Sequence, residues 1–219
     1  MSEPLPYPAT RLTVTLAGLE GALTVLRPAR PEAIIDALTE LDADEKLPYW
    51  AELWPSSLGL ALALARGEVE VAGRSVTELG CGVGLVSLAA ARAGACRVLA
   101  TDWYIECLHF AAASAAENGL TLDTLPVDWR APPPEAAAEV VLAADVLYER
   151  RNAHDVAAAL RALVLPRGVA VIADPGRTYQ RDLVAALSDW SCRRTQVTVT
   201  SEHIPQGHAE IALLRFERS

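Results

Sequence analysis

A glycine-rich segment between two apolar stretches most strongly constrains the fold of this chain. Residues 75–84 read Ser-Val-Thr-Glu-Leu-Gly-Cys-Gly-Val-Gly, and residues 85–92 have helix-forming composition. A second apolar segment, residues 96–102, ends in Asp102. Glycine at a strand-to-helix turn permits positive φ angles and a close approach of the backbone to a ligand. The pattern therefore predicts a strand, a ligand-binding turn, a helix and a second strand that ends in a carboxylate.

The spacing of the glycines separates two classes of nucleoside cofactor. A dinucleotide fingerprint is G-x-G-x-x-G, whereas this turn is G-x-G-x-G with Leu85 at the place of the third glycine. Glu78 precedes the turn, where a carboxylate repels a pyrophosphate but suits a ligand that carries an ammonium and a sulfonium. Asp102 is placed to accept both hydroxyls of a ribose. The turn favours S-adenosylmethionine, with NAD, another nucleotide or a turn that binds nothing as the alternatives.

Strand-like and helix-like segments alternate after this turn. Strands are predicted at 75–80, 96–102, 123–128, 139–145 and 168–174, and helices at 84–94, 104–118, 150–164 and 178–189. Two final strands, at about 193–202 and 208–216, are joined by a loop too short for a parallel crossover, so they should be antiparallel to each other. The predicted fold class is α/β: a doubly wound, Rossmann-like sheet of seven strands, mostly parallel with an antiparallel last strand.

The N-terminal part follows a different pattern. Alternating apolar residues at 11–16 and 19–26 predict a small β-hairpin, and a helix is predicted from Pro31. Residues 42–48 predict a loop, and a further helix opens at Trp54 with proline in its first turn. We expect two parts, an N-terminal hairpin-and-helix extension at 1–45 and the main domain at 46–219.

Charge and composition narrow the classes of partner. The net charge of −9 gives no sign of the basic surface that nucleic-acid binding requires, so a nucleic-acid partner is not expected. The four cysteines show no C-x-x-C spacing, so neither a disulfide framework nor a metal site is predicted. No apolar stretch is long enough to cross a bilayer, and the first residues do not resemble a secretory signal. We expect a cytoplasmic protein without membrane contact, and no pattern indicates its oligomeric state.

Acidic residues recur where the predicted parallel strands end. They are Glu78, Asp102, Asp128, Asp145 and Asp174. Ligands of such sheets bind outside the carboxyl ends of the strands, so these side chains are candidates for one site. The structural alternative for each of them is to cap the helix that follows.

Three further segments accompany residues 78–84, whose sequence is Glu-Leu-Gly-Cys-Gly-Val-Gly. They are Trp50-Ala-Glu-Leu-Trp-Pro-Ser-Ser57, Asp128-Trp129 and Ala144-Asp-Val-Leu-Tyr148. With them the chain resembles class I, seven-β-strand S-adenosylmethionine-dependent methyltransferases over about residues 45–217. Within that class it is similar to methyltransferase family 16, which includes many protein-lysine methyltransferases. The resemblance implies a Rossmann-like fold, S-adenosylmethionine as cofactor and N-methylation of a protein lysine.

The resemblance also assigns roles to individual positions. The cofactor is assigned to ten residues, namely Trp54, Glu78, Gly80, Cys81, Gly82, Asp102, Trp103, Asp128, Trp129 and Ala144. Gly80, Cys81 and Gly82 would contact it through their backbone. Asp102 would bind the ribose, while Trp103, Asp128 and Trp129 would surround the adenine. Trp54 and Ala144 would line its methionine end.

Asp145 and Tyr148 are the predicted catalytic residues. By the same resemblance Asp145 faces the methyl-transfer centre, where we expect it to orient the incoming amine more readily than to act as a general base, and Tyr148 lies nearby. Two alternatives stay open: N-methylation of a small pyridine or amine metabolite, and a non-catalytic cofactor-binding protein that docks a partner. A closed pocket over Asp145 and Tyr148 would favour a metabolite, and an open groove would favour a protein side chain.

Overall fold

The structure, a computed structural model, describes residues 4–34, 49–204 and 206–218. The strands are β1 (Ala9–Thr15), β2 (Ala22–Pro28), β3 (Ser75–Leu79), β4 (Arg97–Asp102), β5 (Asp123–Pro126), β6 (Ala138–Ala144), β7 (Val164–Asp174), β8 (Ser191–Thr200) and β9 (His208–Glu217). The helices with full bounds are α1 (Pro55–Ala65), α2 (Leu85–Arg92), α3 (Ile105–Glu117), α4 (Arg150–Leu163) and α5 (Gln180–Ala186). Short 3-10 turns lie at Tyr49–Ala51 and Pro134–Ala136.

The main sheet has seven strands in the order β5-β4-β3-β6-β7-β9-β8. Neighbouring strands from β5 to β7 pair in parallel, and β9 pairs antiparallel with both β7 and β8. The predicted fold class is therefore confirmed, including the antiparallel last strand. After β3 the chain moves outward to β4 and β5 and then crosses back to β6. This reversal opens a crevice at the carboxyl ends of the central strands, where ligands of such sheets bind.

Both faces of the sheet are covered, as a parallel sheet requires. In β6, Val140 and Leu142 pack with helices α1, α2 and α3, whereas Val141 and Ala143 pack with α4 and α5. Successive side chains of a strand point to opposite faces, so one apolar strand contributes to two cores. The strand ends are consequently held firmly from both sides.

The N-terminal hairpin of β1 and β2 packs on α3. Ser114 Oγ accepts the Leu26 N–H at 2.8 Å, and the Asn118 side chain bonds both the N–H and the carbonyl of Thr24. The predicted helix does begin at Pro31, with residues 31–34 helical. The predicted loop at 42–48 and the boundary between residues 45 and 46 lie outside the described residues. Within the described parts of the chain, we find no helix with the length and apolar character needed to cross a membrane.

Candidate functional site

A cavity of about 800 Å³ lies at the carboxyl ends of β3, β4 and β6, within the size range of small-molecule sites. All twelve residues predicted from the sequence line it: Trp54, Glu78, Gly80, Cys81, Gly82, Asp102, Trp103, Asp128, Trp129, Ala144, Asp145 and Tyr148. They come from five separate segments of the chain. Four of these segments lie at or just after the carboxyl ends of β3, β4, β5 and β6, which share one edge of the sheet, and the fifth, at Trp54, directly precedes α1.

The glycine turn after β3 has no room for side chains. Gly80 has φ +67°, and a Cβ there would lie 3.1 Å from Trp129 Cζ2 and 3.3 Å from Val146 Cγ1. Gly82 has φ +51°, and a Cβ there would lie 3.2 Å from the Trp50 carbonyl oxygen. Both positions combine left-handed backbone with close neighbours, a combination that glycine meets at least cost. The turn therefore presents its bare backbone to the cavity.

Asp102 ends β4 and is buried beside this turn. Its Oδ2 accepts the Gly82 N–H at 3.0 Å, and its Oδ1 accepts the Tyr104 N–H at 3.1 Å. Burial raises the pKa of the Asp102 carboxyl, and these amide hydrogen bonds oppose the rise. Each carboxylate oxygen has two lone pairs, so both can accept a further hydrogen bond from a ligand hydroxyl.

Glu78 lines the cavity as a buried carboxyl group, and the sequence did not indicate this burial. Its side chain is fully buried, and Ser87 Oγ donates a hydrogen bond of 2.5 Å to it. Burial raises the pKa of Glu78 to about 8, although the Ser87 hydrogen bond opposes this. The raised pKa favours the protonated form of Glu78, because the carboxyl has little contact with water. Burial therefore opposes the negative charge that the sequence predicts beside the turn, and that charge stays a prediction.

Cys81, Asp102 and Cys107 place two thiols and a carboxylate within 4.8 Å of one another. Cys81 Sγ donates to the Gly82 carbonyl at 3.5 Å, and Cys107 Sγ donates to the Tyr104 carbonyl at 3.0 Å. The hydrogen bond with Cys107 lowers the pKa of the Cys81 thiol, but burial and nearby carboxylates raise it to about 11. A metal would have to displace protons that are well held, so we assign no metal here. The absence of a metal site stays a prediction.

The cavity is also lined by Trp103, Asp128 and Arg130. Trp103 is 44% exposed, and the Arg130 guanidinium lies 5.6 Å from its ring centroid. Arg130 also donates to both oxygens of Asp128, from Nε at 2.9 Å and from Nη2 at 2.7 Å. Arg130 was not predicted as a site residue. It engages the carboxylate of Asp128, which the resemblance assigns to the surroundings of the adenine.

Asp145 directly follows β6 and has φ +60°, which is uncommon for a residue other than glycine. Its N–H donates to the Ala173 carbonyl of β7 at 2.9 Å. Its side chain is 5% exposed: Oδ1 accepts Arg177 Nε at 2.7 Å, and Oδ2 accepts Ser56 Oγ at 3.1 Å. Burial raises the pKa of the Asp145 carboxyl, and the Arg177 guanidinium opposes the rise. The predicted catalytic carboxylate is therefore already half of an ion pair.

Three aromatic rings form a wall beside Asp145, which we call the aromatic wall: Tyr49, Trp54 and Tyr148. The Tyr49 centroid lies 5.6 Å from that of Tyr148 and 5.8 Å from that of Trp54, both edge to face. Trp54 Nε1 donates to the Tyr49 carbonyl at 2.9 Å. Tyr148 is 40% exposed, so this side of the cavity is open to solvent.

Trp50 belongs to the core and not to the aromatic wall. Its ring is 6% exposed and packs against Phe110, with 5.9 Å between centroids. Its contribution to the cavity is the carbonyl that meets Gly82.

The residues that hold the predicted side chains, Tyr49, Ser56, Arg130 and Arg177, were not predicted from the sequence. Tyr49 and Ser56 flank or lie within the tryptophan segment, and Arg130 follows Trp129 directly. Their neighbours carried the only available signal. Arg177 has a topological signal, since it follows the end of β7 and β7 pairs with β6. A residue beyond Asp174 is thereby brought close to one beyond Ala144.

A family described as lysine methyltransferase matches residues 41–184 of this chain. The electron transfer flavoprotein beta subunit lysine methyltransferase of Danio rerio is 31% identical over 141 residues, which cover 62% of this chain and 53% of that protein. This chain therefore spans about half the length of that relative.

Two solved structures are similar in fold. The 16S rRNA methyltransferase RsmC of T. thermophilus, in complex with AdoMet and guanosine, has a TM-score of 0.66 at 21% identity, covering 99% of this chain and 52% of that one. The magnesium protoporphyrin IX methyltransferase of Synechocystis PCC 6803 with bound SAM has a TM-score of 0.59 at 20% identity, covering 75% of this chain and 78% of that one. The named substrates of these proteins differ widely, so the shared fold does not select an acceptor.

Proposed function

Since the chain belongs to the lysine methyltransferase family, we propose that it uses S-adenosylmethionine to methylate the side-chain amine of a protein lysine. One observation carries this proposal. A single cavity joins the glycine turn and Asp102 to the buried Asp145 and an open aromatic wall. The first pair of features suits a nucleoside with a ribose, and the second suits a cationic or amine side chain that enters from solvent.

The part of the cavity around the glycine turn and Asp102, which we call the glycine side, fits the cofactor in size and in donor set. Asp102 keeps lone pairs for two ribose hydroxyls, and such charge-assisted hydrogen bonds are the strong ones. The backbone of Gly80, Cys81 and Gly82 allows close approach. Trp103 and Trp129 offer aromatic faces for an adenine, with Asp128 and Arg130 beside them. When bound, S-adenosylmethionine supplies an activated methyl group on a sulfonium.

The part of the cavity around Asp145 and the aromatic wall, which we call the acceptor side, fits a lysine better than an enclosed metabolite. Tyr148 is 40% exposed at the mouth of the cavity, so a side chain attached to another protein can enter. Electron-rich faces of Tyr49, Trp54 and Tyr148 attract cationic groups. Ala144 also lines the cavity, and we assign it to the methionine end of the cofactor.

The residues of the chain act mainly by position, because the methyl group is already activated. The aromatic wall aligns the lysine stem, and Asp145 orients the amine. Free lysine has a pKa of about 10.4, so its proton must leave before attack. Transfer into the cavity favours the neutral amine by desolvation. In this proposal Tyr148 accepts a hydrogen bond from the amine and holds its lone pair in line.

The first experiment identifies the acceptor. The protein is incubated with methyl-labelled S-adenosylmethionine and an extract of its own organism, and macromolecules are separated from small solutes. We expect label in a protease-sensitive band and, after hydrolysis, in methylated lysine. An electron transfer flavoprotein beta subunit is the first purified acceptor to test, because relatives are named for it. Label confined to small solutes would contradict a protein acceptor and favour an amine metabolite. Cofactor binding without any labelled product would favour a non-catalytic role.

We further propose that residues 1–45 form an extension and residues 46–219 the methyltransferase domain. The hairpin of β1 and β2 forms its own two-stranded sheet, which supports this division. A variant that begins at residue 46 should keep S-adenosylmethionine binding if the division is correct. The cytoplasmic location stays a prediction.

A further inference from the structure

Arg177 and Asp145 form an ion pair that is built into the fold. Arg177 donates through Nε at 2.7 Å and through Nη2 at 2.5 Å, both to Oδ1 of Asp145. Ser56 Oγ donates a hydrogen bond to Oδ2 of Asp145. The Asp145 side chain is 5% exposed and that of Arg177 is 33% exposed. A buried carboxylate that takes a forked guanidinium is far better defined than a surface ion pair.

The loop that carries Arg177 is fixed by hydrogen bonds to the Asp174 side chain. Asp174 ends β7, and its Oδ1 accepts the N–H of Gly176 at 2.8 Å and that of Arg177 at 2.6 Å. The Gln180 side chain donates to the same oxygen. On the other strand, the N–H of Asp145 is bonded to Ala173. Both partners are thus attached to the paired ends of β6 and β7, so the ion pair follows from the topology.

A lone carboxylate at this position would work against methyl transfer. An opposite charge beside an amine favours the ammonium form and raises the amine pKa by about 1–3 units. An ammonium has no lone pair with which to attack. A carboxylate and the guanidinium paired with it have little net charge together. Such a pair can orient an amine without holding the proton on it.

We propose that Arg177 is a positioning residue that neutralises Asp145, so that the acceptor lysine is bound as an amine and not as an ammonium. This inference rests on the proposed function and specifies how its acceptor side is charged. Arg177 acts through Asp145 and need not touch the substrate.

The other charged groups around the acceptor side do not replace Arg177. Asp174 is the second carboxylate near Asp145, and its Oδ1 is held by amide donors. Glu149 is paired with Arg151 at 2.6 Å, and Asp155 and the Tyr148 phenol line the same cavity. Among the described residues, Arg177 is the cation in contact with the Asp145 carboxylate.

The test measures protonation of an amine probe in the cavity. Butylamine labelled with carbon-13 stands for the lysine side chain and is added to the protein with S-adenosylhomocysteine. Its chemical shift is followed from about pH 8 to about pH 11, across the ordinary lysine pKa of about 10.4. The variants are Arg177→Met, Arg177→Lys and, as matched control, Arg181→Met, which removes an exposed arginine four residues further along that does not line the cavity.

We expect Arg177→Met to raise the pKa of the bound amine by about one unit and to bind butylammonium about tenfold more tightly than the wild type. Arg177→Lys keeps the charge and should change both values much less, and Arg181→Met should match the wild type. Thermal unfolding and S-adenosylhomocysteine binding check that each variant is folded. If Arg177→Met does not fold, Arg177→Gln takes its place.

Equal pKa values for the bound butylamine in the wild type and in Arg177→Met would overturn the inference. That result would not touch the proposed function, which is judged by label in methylated lysine. Conversely, the expected pKa difference without any labelled protein would sustain the charge assignment and contradict the lysine acceptor.

Discussion

The cavity has two halves that are built in different ways, and their carboxylates show the contrast. Asp102 and Asp145 are each 7% exposed and lie at the ends of the two strands that flank β3. Asp102 is held by backbone amides of Gly82 and Tyr104. Asp145 is held by the side chains of Ser56 and Arg177.

Backbone donors are fixed as soon as the turn forms, whereas side-chain donors depend on which residues the fold brings together. The donors to Asp102 are thus placed by the local turn, and the donors to Asp145 are placed by tertiary contacts. The comparison teaches that one cavity combines a carboxylate held by local backbone with a carboxylate held by distant side chains.

The largest effect is expected from Asp102→Ala. Removing two charge-assisted hydrogen bonds to the ribose should weaken S-adenosylmethionine binding by about 100-fold or more in calorimetry, at about 1.5–3 kcal/mol each. Asp123→Ala is the control, because Asp123 forms an exposed ion pair with Arg97 of the neighbouring strand, and such a pair contributes little. Unchanged cofactor affinity in Asp102→Ala would remove Asp102 from the cofactor site and end the contrast.

Asp145→Asn should give the opposite separation. Cofactor affinity should stay near the wild-type value, while turnover on the labelled acceptor falls about 10- to 100-fold, because the amide orients the amine less strongly. Asp189→Asn, which breaks a surface pair with Arg161, serves as control. Loss of cofactor binding with normal turnover per bound cofactor would show that the two halves are not divided as described.

Gly80→Ala tests the packing of the glycine side. Gly67 is a matched position, since its φ of +71° is similar to that of Gly80 but its Cβ would meet nothing within 4 Å. Both variants carry the left-handed strain of about 1–2 kcal/mol. Gly80→Ala should lose about 1 kcal/mol more in urea unfolding, from contact with Trp129 and Val146, and should also weaken cofactor binding. Equal losses in the two variants would show that backbone strain alone sets the requirement for glycine.

The last prediction concerns stability alone: Glu78→Gln should change how the free energy of unfolding depends on pH. The folded protein keeps the Glu78 proton up to about pH 8, whereas the unfolded chain releases it near the ordinary value of about 4.3. The folded state thus binds more protons between these values, so stability falls as pH rises through this window, by up to about 1.4 kcal/mol per unit.

The glutamine variant should lose this dependence in urea unfolding between about pH 5 and pH 8. Glu139→Gln is the control. The pKa of Glu139 is lowered by hydrogen bonds from Ser75, so its contribution is lost only as pH falls into the acid range. An unchanged slope in Glu78→Gln would mean that Glu78 ionises normally in the folded protein.

The sequence predicted the conformation of the glycine turn well because that turn depends on backbone angles that glycine adopts most readily. Glycines at 80, 82 and 84 and a carboxylate at the next strand end leave few other structures. The sequence also predicted the alternation of strands and helices and the reversed last strand, since hydrophobic period and loop length carry that information. It did not predict that burial raises the pKa of Glu78, because residue type does not show how much water reaches a side chain.

The partnership of Asp145 with Arg177 was decided by tertiary structure alone. The two residues are 32 positions apart, and their contact exists because β6 and β7 pair in parallel and end together. The same holds for Ser56, which reaches Asp145 from α1 across 89 positions. Local sequence determines turns, periods and strand ends, whereas the charge of a buried group depends on neighbours that only the assembled sheet supplies.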